Sequence, residues 1–263
     1  MIEKITLAAT QGILEWLPVS SEGFLVLIKA NFFNGGNISS IVDYALFLHF
    51  GTFLAALVYF RAEVWKLIVA GFNYFDAEQK KRKVFDFLLI STIVSGLLGL
   101  LLLEGLRFVE NSFNFGGSVI TAGVGVLLLF TGFMQLKAGS VEKRIEVDIS
   151  YWDGVLLGIV QGLAVLPGIS RSGFTVSALL LKDFKEEVSL RLSFLMSLPI
   201  VFFGNLVMNS SKIFFSFKSL AVIFISFIFG LITIDLLLKT ARKMNFGWFV
   251  ILFGLLTIGA TFI

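Results

Sequence analysis

Hydrophobic residues run along this chain in long blocks, and six of them are long enough to cross roughly 30 Å of hydrocarbon as helices. They cover approximately Val42–Phe60, Val84–Leu106, Gly117–Leu136, Leu190–Met208, Leu220–Leu238 and Phe246–Ile263. Two further apolar regions are each broken by a polar knot. The stronger knot, Pro167-Gly168-Ile169-Ser170-Arg171-Ser172-Gly173-Phe174-Thr175, lies between the apolar runs Val155–Leu166 and Val176–Leu181. The weaker, Gln11-Gly12-Ile13-Leu14-Glu15-Trp16-Leu17-Pro18-Val19-Ser20-Ser21-Glu22-Gly23-Phe24, sits 150 positions earlier, and Gln11/Gln161, Gly12/Gly162, Ser20/Ser170, Gly23/Gly173 and Phe24/Phe174 coincide at that offset. The half that follows each knot has about ten residues, which at about 1.5 Å rise per residue reaches only mid-bilayer. The pattern therefore predicts an all-α integral membrane fold: six transmembrane helices plus two re-entrant helix hairpins. Broken backbone at that depth must be buried in protein or line a watery cavity.

Lysine and arginine orient this arrangement. If both hairpins return to the side they entered from, one face gathers the positives of 61–83, 137–144, 182–191 and 239–243, and the other holds Lys4, Lys29, Arg107, Lys212 and Lys218; Arg171 apart, the split is 15 to 5. The positive-inside tendency then puts both termini outside, in a multi-pass protein of the cell (plasma) membrane whose site faces the outer side. The first hairpin enters from outside and the second from the cytoplasm. Residues 1–263 thus form a single membrane domain with an inverted-topology repeat, its halves approximately 1–137 and 150–263. Broken helices meeting at the midplane of such a repeat usually mark a binding site. Between the first two spans, Arg61–Lys83 mixes Trp65, Phe72, Tyr74 and Phe75 with charges, the pattern of an amphipathic stretch on the cytoplasmic surface.

Composition agrees and excludes several chemistries. The chain is 57% hydrophobic and 15% charged, with a mean hydropathy of +0.94, more apolar than a water-soluble core can hide. No second soluble domain fits in its 263 residues. Without cysteine, disulfides and thiolate chemistry are excluded, and with His49 the only histidine, so are multi-histidine metal sites and paired-histidine phosphatase chemistry. A cleavable signal peptide is not expected, because the first apolar stretch carries Gln11 and Glu15 and lacks a small-residue cleavage site.

Charges inside apolar segments cost roughly 2.5–3.5 kcal/mol each even on lenient scales, so the knots are where chemistry is sought. Arg171 carries the strongest signal. Its guanidinium fits phosphate oxygens in a fork, and the half-helix after Gly173 turns free N–H groups towards the same loop; a similar half-helix follows Gly23. That describes an anion site; the plainer alternative is an arginine paired with Glu15 to lock the fold. Gln11 and Glu15 share a helix face. They form either a hydrogen-bonded pair within the bundle or, with Ser20, Ser21 and Glu22 nearby, a general-base or cation site suited to Mg²⁺ or Ca²⁺. Asp235 and Lys239 are expected to form an ordinary helix pair, and Glu104 and Arg107 an interfacial one. Asp43, Asp86 and Asp153 are expected to open spans, where a carboxylate complements the helix dipole. For His49, packing and a role near the site stay open, with packing favoured.

The two knots resemble the undecaprenyl-diphosphate phosphatase, or bacitracin-resistance, family. The knot around Arg171 is similar to that family's Pro-Gly-x-Ser-Arg-Ser-Gly-x-Thr signature. Glu15-Trp16-Leu17-Pro18-Val19-Ser20-Ser21 resembles its Glu-Phe-Leu-Pro-Val-Ser-Ser element, with Gln11 where the family has Glu or Gln. Agreement extends to Phe50-Gly51-Thr52 and to Ser193-Phe194-Leu195-Met196-Ser197-Leu198-Pro199. The resemblance implies removal of the terminal phosphate from a polyprenyl diphosphate with a divalent cation, Mg²⁺ or Ca²⁺, recycling the lipid carrier for envelope glycans. It implies Glu15, Ser21 and Arg171 as catalytic residues, Gln11, Ser20, Ser170, Ser172 and Thr175 as substrate-binding residues, and Glu15 as the metal ligand. The expected partners are the polyprenyl diphosphate and membrane lipids, with a second copy of the chain as a further candidate and nucleic acid not among them. One departure stands out: the family's first motif usually continues Ser-Ser-Thr-Gly-His, whereas Glu22-Gly23-Phe24 follows here. A mechanism needing an imidazole at position 24 cannot operate in this chain. The alternatives are a transporter or flippase of a lipid phosphate or other anion, and an inactive relative that only binds.

Overall fold

The computed structural model describes residues 2–18, 21–33, 38–109, 143–165, 170–209, 217–241 and 246–259, together with scattered positions between 122 and 136 and residue 261. The helices are α1 (Ile2–Leu14), α2 (Ser21–Phe32), α3 (Ile38–Tyr59), α4 (Arg61–Phe72), α5 (Gln79–Val109), α6 (Tyr151–Leu163), α7 (Arg171–Leu181), α8 (Glu186–Asn209), α9 (Phe217–Ala241) and α10 (Phe246–Gly259). A 3₁₀ turn at Glu146–Asp148 precedes α6. Among the described residues, three helices are long and apolar enough to cross a membrane, over Gln79–Leu102, Glu186–Asn205 and Ser219–Thr240. Leu89, Ile93, Leu97, Leu100 and Leu101 of α5 are exposed, as a surface covered by lipid requires. The expected spans at 42–60, 84–106, 190–208, 220–238 and 246–263 fall largely within α3, α5, α8, α9 and α10. Much of the one at 117–136 lies outside the described residues, as do the side chains of Asp43, Glu104 and Arg107.

Each knot joins two short helices into a hairpin whose open ends meet. Glu3 near the start of α1 pairs with Lys29 near the end of α2 at 3.4 Å. In the second hairpin, Asp153 in the first turn of α6 reaches Lys182, just past α7, at 3.5 Å. Ser150 caps α6, its hydroxyl accepting from Asp153 N while Ser150 N donates to the Asp153 carboxylate at 2.9 Å. Arg144 adds a two-point bond to that carboxylate, at 2.6 and 3.3 Å. The Arg144 backbone exchanges hydrogen bonds with Asp183 and Lys185, its guanidinium lies over the Phe184 ring, and Asp183 takes the left-handed φ of 61° that the turn demands.

Asp86 departs from expectation. Helix α5 begins at Gln79, so Asp86 stands about two turns inside it and accepts from Tyr74 Oη at 2.9 Å. Gln79–Lys83 are good helix formers and carry the helix past the apolar boundary. Helix α4 buries Leu67 and Ala70, and its exposed side carries Trp65, Ile68, Val69 and Phe72 beside Arg61 and Lys66. Asp235 and Lys239 pair at 2.5 Å, as expected of an i, i+4 couple.

Small residues let the hairpins approach their neighbours. Gly154, Gly158 and Gly162 line one face of α6 against α5, and a Cβ added at Gly158 would lie 2.7 Å from Val94 Cβ. Gly12 of α1 meets α9 as closely, with Phe229 Cβ at the same distance. The hairpin of each half of the chain thus packs against a long helix of the other half.

Candidate active site

The two hairpins meet tip to tip. A Cβ at Gly173, in the first turn of α7, would lie 3.2 Å from the Cα and carbonyl oxygen of Pro18, so only glycine admits this approach without displacement. Ser172 Oγ ties the tips by donating to Leu17 O at 2.6 Å. Under them lies an apolar floor in which the Trp16 ring packs edge-on against Phe194, centroids 4.9 Å apart.

Glu15 sits at the junction, buried, with both carboxylate oxygens engaged. Arg171 Nη2 donates to Oε1 at 2.5 Å. Oε2 receives Gln11 Nε2 at 2.8 Å and the Ser21 hydroxyl at 3.2 Å, and His49 Nε2 lies 3.0 Å away. Arg171 also lies over the Trp16 ring, its Cζ 5.8 Å from the centroid. Its Nη1 is buried without a hydrogen-bond partner. Buried donors are seldom left unsatisfied, and this one stands at the start of α7, where the helix dipole already favours an anion.

The remaining predicted residues build the frame. Ser170 caps α7, its hydroxyl accepting from Gly173 N at 3.2 Å, and lies 3.3 Å from Ser172 Oγ. Thr175 Oγ1 faces inward, 2.9 Å from Arg171 O and 2.6 Å from Ser193 Oγ, which anchors α7 to α8. Gln11, Glu15, Ser21 and Arg171 are therefore brought together, while Ser170, Ser172 and Thr175 hold the arginine's loop. Ser20 and Pro167–Ile169 lie outside the described residues. The Glu15–Arg171 pair expected of a fold lock is present, and the same geometry leaves one arm of the guanidinium for a ligand.

Residues 4–259 match the family described as bacitracin resistance protein BacA. The chain belongs to the BacA family. It is 40% identical over 265 residues to the undecaprenyl-diphosphatase of Methanococcoides burtonii, covering 99% of this chain and 98% of that protein. The undecaprenyl-diphosphatase of Methanothrix thermoacetophila is 34% identical over 99% of this chain and 96% of its own. That of Borrelia recurrentis is 32% identical over 95% and 94%.

Two residues of this BacA site are not marked as such by the sequence. Of the two expectations for His49, a slightly favoured packing role and a role near the site, α3 brings it to the site, 3.0 Å from Glu15. The spacing between positions 15 and 49 gives no hint of this, because tertiary folding makes the contact. Trp16, in the sequence one more apolar neighbour of Glu15, supplies the face beneath Arg171. The donors also suit a hard cation. Gln11 Oε1 is buried with no hydrogen-bond partner, beside the Glu15 carboxylate. Among the described residues no three His, Cys, Asp or Glu side chains cluster as metal ligands. An ion here would draw few ligands from this BacA chain and the rest from phosphate oxygens and water, as Mg²⁺ commonly does.

Proposed function

We propose that this chain hydrolyses a polyprenyl diphosphate of the undecaprenyl type to the monophosphate and inorganic phosphate, recycling a lipid carrier for envelope glycans. The single observation that carries this reading is the convergence of Arg171, Glu15, Gln11 and Ser21 where the two hairpin tips touch. The names of full-length relatives favour hydrolysis over transport.

Arg171 and the N-terminus of α7 bind the diphosphate, Nη1 supplying the donor that the Glu15 pairing leaves over. Ser21 donates to Glu15 Oε2, so the carboxylate can accept a proton from the attacking oxygen, that of Ser21 or of a water beside it. As the new bond to the terminal phosphorus forms, the bond to the bridging oxygen breaks, and its electron pair leaves with the lipid monophosphate; where Ser21 is the attacker, a water then displaces inorganic phosphate from its oxygen and restores the hydroxyl. Charge gathers on phosphate oxygens next to Arg171, where fixed donors in a dry site lower the barrier most. A divalent cation held by Glu15 and Gln11 Oε1 would neutralise part of the same charge.

The finer architecture belongs to this proposal. We read six transmembrane helices and two re-entrant hairpins in an inverted repeat, both termini outside and the site open to the outer leaflet. The Glu3–Lys29 and Asp153–Lys182 pairs support re-entry, since each hairpin ends beside its own start. The reciprocal packing of α1 on α9 and α6 on α5 supports the repeat.

The test is phosphate release from a long-chain polyprenyl diphosphate by the purified protein. Activity is expected with Mg²⁺ or Ca²⁺ and its loss in chelator. No release with any divalent cation would defeat the enzymatic reading, and undiminished turnover in chelator would remove the cation.

A further inference from the structure

We infer that His49 is the positioning residue of the site: through Nε2 it fixes the orientation of the Glu15 carboxylate on which the proposed hydrolysis depends. This inference rests on that hydrolytic reading. The imidazole is held at both ends. Nδ1 donates to Ala45 O, one turn back on α3, at 2.7 Å, and with hydrogen on both ring nitrogens Nε2 donates to Glu15 Oε2, 3.0 Å away. Gln11 Nε2 lies 3.3 Å from each ring nitrogen, so the amide that binds Glu15 is packed against the same ring.

The geometry gives each carboxylate oxygen its own restraint. Arg171 holds Oε1 from α7, and His49 and Gln11 hold Oε2 from α3 and α1. Without the imidazole the carboxylate can swing about its Cγ–Cδ bond, and Ser21, at 3.2 Å the longest of its contacts, loses its acceptor first. A side chain serving only to fill space would not need both nitrogens engaged.

The second hairpin offers an internal contrast. At the 150-residue offset the positions of Glu15 and His49 are Val165 and Pro199. There Gln161 Nε2 donates to Ser95 Oγ at 3.1 Å, with Met196 O at 3.5 Å. The imidazole thus accompanies the carboxylate and is missing from the half that lacks one.

Isosteric replacements separate orientation from bulk. A glutamine amide nitrogen reaches about where Nε2 lies, and an asparagine amide reaches only to Nδ1. His49→Ala and His49→Asn are expected to lower kcat by about ten- to a hundredfold, the scale of one hydrogen bond to a charged group, with KM changing less than about threefold. His49→Gln should recover most of the lost kcat. Melting temperature in detergent, measured on each variant, identifies any loss due to unfolding; if the alanine variant does not fold, the Gln and Asn pair still decides. Equal kcat for folded His49→Gln and His49→Asn, or near-normal kcat in His49→Ala, would overturn the inference. An inactive parent chain would instead refute the hydrolytic reading itself, so the two failures are distinct.

Discussion

Arg171 engages Glu15 and the Trp16 face with one guanidinium, a combination that lysine lacks. Nη2 is committed to Glu15 at 2.5 Å, Nη1 stays buried and unpaired, and the plane lies over Trp16. A lysine ammonium keeps the charge but has neither the fork nor the planar face. Arg171→Lys should therefore lower turnover at least about tenfold, equivalent to roughly 1.4 kcal/mol of transition-state stabilisation. Steady-state phosphate release on well-folded protein checks this, and near-normal turnover would remove Arg171 from the site. Arg171 and Glu15 stand out in the sequence because charge in an apolar block is costly. Their mutual contact is legible only as one of two alternatives, since the residues are 156 positions apart and nothing local decides between them. His49 shows the reverse case: visible as the lone histidine, yet mute about its orientation until α3 is packed.

The hairpins depend on caps and close contacts that composition only hints at. Asp153 gathers Ser150, Arg144 and Lys182 at the open end of the second hairpin. Burial pushes its carboxyl up, but the bonds from Arg144 and from the Ser150 backbone and hydroxyl outweigh that and hold it below its ordinary value. The stability it gives is thus complete above the ordinary carboxylate pKa and is lost as pH falls through the lowered one. Thermal unfolding in detergent should show the wild type weakening below about pH 4, whereas Asp153→Asn starts lower at neutral pH and varies less. On the opposite face of α6, Gly158→Ala would force its new Cβ to within 2.7 Å of Val94 Cβ. Overpacking of that kind costs about 1–3 kcal/mol, so a clear fall in melting temperature is expected. The Gly154-x₃-Gly158-x₃-Gly162 spacing is plain in the sequence; that its partner is α5 is not, because apolar helices offer many equivalent faces.

Among the described residues, hydropathy places the long apolar helices of the chain, and each polar knot falls between two short helices. What hydropathy cannot supply is the relation of one half to the other, which rests on contacts between distant segments. The proposed orientation can be tested because the chain has no cysteine of its own. Single cysteines at the exposed positions Gln79 and Lys185 should be shielded from an impermeant reagent in intact cells, and one at Phe32, 77% exposed near the end of α2, should be labelled. Labelling at 79 and 185 with protection at 32 would reverse the topology.

The contact of Pro18 with Gly173 also sets an order of events at the ribosome. Glu15 emerges early, well before the rest of the first half is made. During that interval its carboxylate has Gln11, Ser21 and later His49, but no fixed cation. Arg171 arrives only with the second hairpin, so the ion pair that covers Glu15 is among the last contacts of the site to form. A chain cut short before position 171 therefore leaves the Glu15 carboxylate without its guanidinium partner, however well its first half folds.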